Sequence, residues 1–165
     1  MALDAHLDLK AGSIKGESKE KGYEDQIQLL SWGWGATNQG SSAHGTGMGS
    51  GKVHMQDFHF TQQMCTSSPE LFLNCATGMH IPKAILTCRK AGQKTEQQKF
   101  LQLTFSDLLI SSYQTGGTDG GTGLPCESIS FNYSKIEMEY FVQDEKGVTK
   151  PAGKTGYDLK KNAKV

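Results

Sequence analysis

Proline is scarce in this sequence, with four residues in 165, and no uninterrupted apolar run approaches the ~20 residues a spanning helix needs. The first shortage excludes a proline-rich disordered chain and the second a helical membrane insertion. Charge of one sign is also missing, because Lys plus Arg and Asp plus Glu both number 17. Without a net field, neither nucleic acid nor an anionic membrane surface is an expected partner. The N-terminal residues lack the basic stretch and apolar block of a cleavable signal peptide, so folding in the cytosol is expected. No CxxC pair occurs among Cys65, Cys75, Cys88 and Cys126, which leaves no zinc-ribbon or thioredoxin-type spacing. They read as small buried apolar residues, with an extracellular disulfide framework as the alternative.

Glycine, by contrast, is abundant, with 20 residues gathered in clusters, which suits strands joined by turns. The class expected is mainly β, in one domain spanning residues 1–165, since one core still covers most of the apolar surface at this length.

Alternation supports that class. Leu3, Ala5, Leu7, Leu9 and Ala11 share one side of a strand, with Asp4, His6, Asp8 and Lys10 on the other. A polar segment, Lys15 to Asp25, leads to a strand from Gln26 to Gly35 with Leu30, Trp32 and Trp34 on one face and Leu29, Ser31 and Gly33 on the other. Residues Ala36 to Gly51 hold no large apolar anchor except Met48 and read as a long, flexible loop. Lys52 to Gln62 follows as a strand with His54, Gln56, Phe58 and Phe60 on one face.

The period then changes. Ser67 or Ser68 as N-cap, Pro69 in the first turn, Glu70 at the positive end of the dipole and Gly78 as stop predict one short helix over about 69–77. Its expected inward set is Leu71, Phe72, Cys75 and Met79. Strands are predicted at Lys83–Lys90, Lys99–Phe105 and Leu108–Thr115, the first two forming a hairpin around Ala91–Gln97, with Gly116–Gly123 as a mobile turn. In the strand Ser128–Val142, Ile129, Phe131 and Tyr133 hand the inward role to Ile136, Met138 and Tyr140, which predicts a bulge near Ser134 or Lys135. The tail from 143 to 165 turns polar, yet Tyr157 and Leu159 alternate with Asp158 and Lys160, as a late strand would.

Tests for chemistry come out negative. Thr46 and Val148 stand where P-loops ending at Lys52 or Lys154 need glycine, and Val53 follows Lys52 where Ser or Thr is required. His54 and His59, five apart on a strand, point to opposite faces and do not share a metal. No GxSxG elbow is present, although a Ser, His and Asp set assembled in space is not excluded by one sequence. No cofactor, metal or catalytic residue is expected. Arg89 and Lys90 read as the start of a hairpin, and Lys160, Lys161 and Lys164 as a solvated tail.

Several passages, in order and across the whole chain, resemble the haemolysin-coregulated protein (Hcp) family of bacterial type VI secretion systems. They are Lys15–Ser18 (KGES), Leu29–Gly35 (LLSWGWG), Gly51–Thr61 (GKVHMQDFHFT), Ser68–Gly92 (SPELFLNCATGMHIPKAILTCRKAG), Ser111–Gly117 (SSYQTGG), Ile129–Ile136 (ISFNYSKI) and Lys154–Asn162 (KTGYDLKKN). The stretch Asn38–Gly51 is usually variable in that family, the position of Tyr157 often carries tryptophan, and the cysteines are not a family requirement.

The resemblance implies a compact antiparallel two-sheet β-barrel flanked by one short helix, with no catalysis. It further implies a homo-hexameric ring, rings stacked into a tube, type VI sheath and spike proteins as partners, and small effectors carried in the channel. Location would be the bacterial cytoplasm before firing, then export through the type VI system. On this reading Asn38, Gln39, Ser41, Ser42, His44, Thr46, Met48 and Ser50 reach the adjacent ring, while Ser31 and Gly33 face the channel. The alternative for the latter pair is small residues where strands crowd. Competing functions are a carbohydrate-binding β-sandwich using Tyr113 or Tyr157, and a hydrolase.

Overall fold

The computed structural model describes residues 3–40, 51–90, 97–120 and 123–165. In chain order these form β1 (Asp4–Asp8), β2 (Ile27–Gln28), β3 (Ser31–Gly33), β4 (Ala36–Asn38), β5 (Val53–Met55), β6 (Phe58–Gln63), α1 (Ser68–Thr77), β7 (His80–Lys90), β8 (Gln98–Gly116), β9 (Cys126–Gln143), β10 (Thr149–Asp158) and β11 (Ala163–Lys164). All pairings are antiparallel, along the path β11-β10-β9-β8-β7-β1-β2, with β3-β6 joined to β9.

The sheet closes into a barrel at one dipeptide. Leu29 donates its amide to Ala5 O of β1 at 2.9 Å, and Leu30 donates to Thr61 O of β6 at 2.8 Å. The chain thus leaves one edge and joins the other between two consecutive residues. This corrects the predicted face of Leu30: Leu29 is buried and Leu30 is 49 % exposed, while Trp32 and Trp34 pack on the core. A similar break between β5 and β6 leaves His54 and Gln56 outward, with Phe58 and Phe60 buried. The alternation of the first strand likewise ends early, because Lys10–Gly12 turns as a 3-10 helix and Ala11 is exposed.

Phe58, Phe60, Phe105 and Phe131 fill the barrel, with ring centroids of Phe58 and Phe105, and of Phe58 and Phe131, 5.0 Å apart. Each such ring contributes about 2–3 kcal/mol by leaving water. The inward set changes parity on three neighbouring strands at one level: Ile81 to Ala84 on β7, Phe105 to Leu108 on β8 and Tyr133 to Ile136 on β9. The predicted site of the change is thus met at Ser134, but the β8–β9 pairing stays in register there, and Asp107 absorbs the bend with φ 56. The register shifts instead between Ile110 and Ser112. For the same reason β8 is one 19-residue strand rather than the two predicted.

Helix α1 ends at Gly78, in the left-handed region at φ 67. Leu71 and Asn74 are its buried side chains beside Ser68, whereas Phe72 and Met79, predicted inward, are 58 % and 59 % exposed. The helix lies on β8, and its turn of buried contact is too short to cover both sides. Beyond 143 the chain returns as β10 alongside β9. Of the predicted turns, 91–96 and 121–122 lie outside the described residues.

Candidate functional site

Two surfaces carry the residues singled out in the sequence. The first is the stem of β4 and β5, a two-stranded sheet of its own with Ala36 opposite Met55 and Asn38 opposite Val53. Asn38 and Gln39 are exposed at its far end, while Ser41, Ser42, His44, Thr46, Met48 and Ser50 lie outside the described residues. Gly51 closes the stem, since a Cβ there would lie 2.0 Å from Gln39 O. The base is fastened to the barrel by a relay: Trp34 Nε1 donates to the Tyr133 hydroxyl, which donates to Gln56 O at 2.9 Å, and Gln56 N donates to Gly35 O at 2.9 Å. Burial pushes the Tyr133 hydroxyl up to about 12, so it remains a donor.

The second surface is the outward face of β3, β6, β9 and β8. Ser31 is exposed and its hydroxyl meets that of Thr61 at 2.6 Å. Ser130 meets Ser111 at 2.8 Å and Ser112 at 2.6 Å, and Ser111 donates to Asp57 Oδ2 at 2.6 Å. The face therefore carries a hydroxyl lattice with one carboxylate, and the exposed His59, Gln63 and Asn132 share it. Gly33 has a local cause: a Cβ there would sit 2.4 Å from His59 Nε2 of the paired strand. The exposed His59 imidazole lies over this glycine and would have to swing aside for a larger residue.

Tyr113 and Tyr157 are half-buried, and both have their hydroxyls engaged within the chain. The Tyr113 hydroxyl donates to Glu127, and burial with that carboxylate pushes it up to about 12; Tyr157 donates to Asn162 Oδ1 at 2.6 Å. The His80 pair does not form a nucleophile. His80 Nδ1 lies 2.9 Å from Asp107 Oδ1, but Ser134 donates to the Asp107 carboxylate at 3.3 Å and not to the imidazole. A triad needs the hydroxyl on the histidine. No cluster of three metal-ligating side chains occurs among the described residues.

Sequence reasoning missed three buried polar groups. Glu127, 1 % exposed, accepts hydrogen bonds from Gln62 Nε2 at 2.8 Å and Ser68 Oγ at 2.7 Å as well as from Tyr113. Arg89, read as the start of a hairpin, is a buried ion-pair centre, and His6, read as outward, is 1 % exposed. The cysteines divide: Cys88 is buried, its thiol pushed up to about 11 by that burial, whereas Cys126 is exposed, and all four are free thiols.

Comparison with known proteins follows from this geometry. The family model for the type VI secretion system effector Hcp matches residues 7–140. The chain belongs to the Hcp family. Protein hcp1 of Pseudomonas aeruginosa is 38 % identical over 167 residues, covering 100 % of both chains. The crystal structure of Hcp1 from Salmonella typhimurium is 32 % identical with a TM-score of 0.80 over 100 % of both chains. A further solved type six secretion system protein is 30 % identical with a TM-score of 0.90, covering 99 % of this chain and 100 % of that one. The Hcp fold, mainly antiparallel β with one short helix, is therefore this chain's fold. Hcp proteins are secreted, non-catalytic structural proteins of the type VI system.

Proposed function

We propose that this Hcp chain is the subunit of the type VI inner tube: six copies close into a ring, rings stack, and small effectors ride in the channel. The observation that carries the proposal is a pair of exposed apolar patches at opposite ends of one long strand. Phe72 and Leu73 of α1 sit beside Tyr113 near the end of β8, the Phe72 and Tyr113 rings 5.9 Å apart. Tyr140 and Val142 are exposed near the other end, Tyr140 opposite Leu101 of β8. Twelve residue steps along β8 run from Leu101 to Tyr113, roughly 40 Å of contour at the rise of an extended chain. Two unlike surfaces at opposite ends favour head-to-tail contact, which closes into a ring when the rotation permits.

The hydroxyl face bearing Ser31 suits a channel wall, since it is wet and nearly uncharged, and offers passing cargo no apolar or strongly charged trap. The β4–β5 stem, fixed at its base and paired apart from the barrel sheet, suits contact with the next ring, with sheath and spike as the outer partners. In this reading the chain waits in the bacterial cytoplasm and is exported on firing. Electron microscopy and sedimentation of the purified chain test the proposal. Annular particles of six copies are expected; protomers alone at every concentration would overturn it.

A further inference from the structure

The segment Lys15–Gln26 folds back on itself over the end of β1. Ser18 N donates to Gln26 O at 3.1 Å, Asp25 N to Ser18 O at 3.0 Å and Gly16 N to Asp25 O at 2.8 Å. These bonds are internal to the segment, and a two-stranded hairpin alone is marginal in water. Besides the buried Gly16, Ser18 and Gln26, its polar attachment to the barrel gathers on one cation. Arg89 of β7 lies 2.9 Å from Asp4 Oδ2 of β1 and 3.0 Å from Glu20 Oε1 of the segment, and its guanidinium covers the Tyr23 ring at 4.4 Å. A second tie, Thr66 Oγ1 to Glu17 Oε1 at 2.7 Å, is exposed.

Beneath this attachment lies His6. Tyr23 covers it at 5.1 Å between ring centroids, and its Nδ1, 3.3 Å from Asp4 Oδ1, has no hydrogen-bond partner. The groups facing it are Asp4 on its own strand, Arg89 on β7, and Glu20 and Tyr23 on the segment, with Glu17 and Lys19 at the rim of the adjoining cleft. Asp4 is the nearest carboxylate, and both it and Glu20 already hold the Arg89 guanidinium. A proton on the imidazole therefore adds a second cation to a buried site whose carboxylates are engaged, and the loss of its hydration is what opposes it.

We propose that Lys15–Gln26 is an acid-released strap, locked over His6 by Arg89 and freed when His6 is protonated. Release lets water reach the imidazolium and removes the wall that Ser18 and Glu20 give to a cleft of about 590 Å³, baring Leu29 beside the already exposed Leu3 and Leu30. Burial holds the His6 imidazole below its usual 6.5, so the closed strap is fully favoured above that value and loses ground as pH falls below it. With the open-state histidine near its ordinary value and the closed-state imidazole held lower, the strap's opening constant rises as pH falls from 7.5 to 5.5, by at most about tenfold.

Hydrogen exchange on the full chain tests this, with rates corrected for intrinsic pH dependence and read at the Ser18 and Asp25 amides. Wild type is expected to open severalfold more at pH 5.5 than at pH 7.5, up to about tenfold, and His6→Gln to show no such response. An unchanged wild-type strap, or the same acid response in His6→Gln, would overturn the proposal. The His6 ring protons in wild type serve as a second measurement that needs no variant. They should titrate below 6.5, beneath the range in which strap exchange begins to rise, and titration at or above 6.5 rejects the device.

Discussion

Ser68, the first residue of α1, donates a 2.7 Å hydrogen bond to the carboxylate of Glu127, a residue 59 positions away and 1 % exposed. With Gln62 and Tyr113 also donating to it, this carboxylate ties the start of the helix to β6, β8 and β9 without a cation. Hydrogen bonds to a charged acceptor are the stronger kind, and removing the acceptor leaves its donors buried and unmet.

Replacing Glu127→Ala should therefore destabilise the fold by about 3 kcal/mol, with Glu127→Gln costing less because the amide oxygen still accepts. Urea unfolding followed by tryptophan fluorescence reads both. An unchanged midpoint for Glu127→Ala would show that the tie is dispensable.

The contact of His59 with Gly33 separates crowding from a channel role. Gly33→Ala should cost roughly 1 kcal/mol, and almost nothing in a His59→Ala background, because the clash partner is then gone. A double-mutant cycle without coupling would leave the smallness of Gly33 to the channel alone.

Tyr133 supplies a base-sensitive term. Its hydroxyl is raised to about 12, so the folded state holds its proton more tightly than the unfolded chain. The resulting stability is present below pH 10 and is lost as pH climbs through 12, amounting to about 2 kcal/mol for this nearly buried group. Tyr133→Phe should flatten that part of the stability profile and loosen the β4–β5 stem, measurable as faster amide exchange at Gln56.

Asp107 gives the acid counterpart. Hydrogen bonds from Lys160 and then His80 hold its carboxyl down to about 2, so its favourable contribution is present above the ordinary carboxylate value near 3.8 and disappears as pH falls through 2. Carbon-detected titration should find its midpoint near 2 in wild type and moved upward in Lys160→Met. No movement would detach the C-terminal turn from the barrel bend.

Deleting Ser41–Ser50 addresses stacking. Rings should persist, since the barrel pairings lie outside that stretch, while long tubes should vanish from electron micrographs. Unchanged tube formation rejects a stacking role for the loop.

Local pattern determined much of this protein. Period-two apolarity placed Phe58, Phe60, Ile129, Phe131 and Tyr133 inward, and Pro69 and Gly78 bracketed the helix, because side-chain alternation and the backbone preferences of proline and glycine act over a few residues, although Ser67 makes no side-chain capping bond. The order of quoted passages was enough for the family. Tertiary structure alone decided which face counts as inside once a strand changes partner, as at Leu29 and Leu30. It also decided that His6, Arg89 and Glu127 are buried. Each of these polar groups gains its cover or its hydrogen-bond and ion-pair partners from distant segments, such as Asp4 across 85 positions from Arg89, and burial of a polar group is affordable only where the closed barrel brings such partners together.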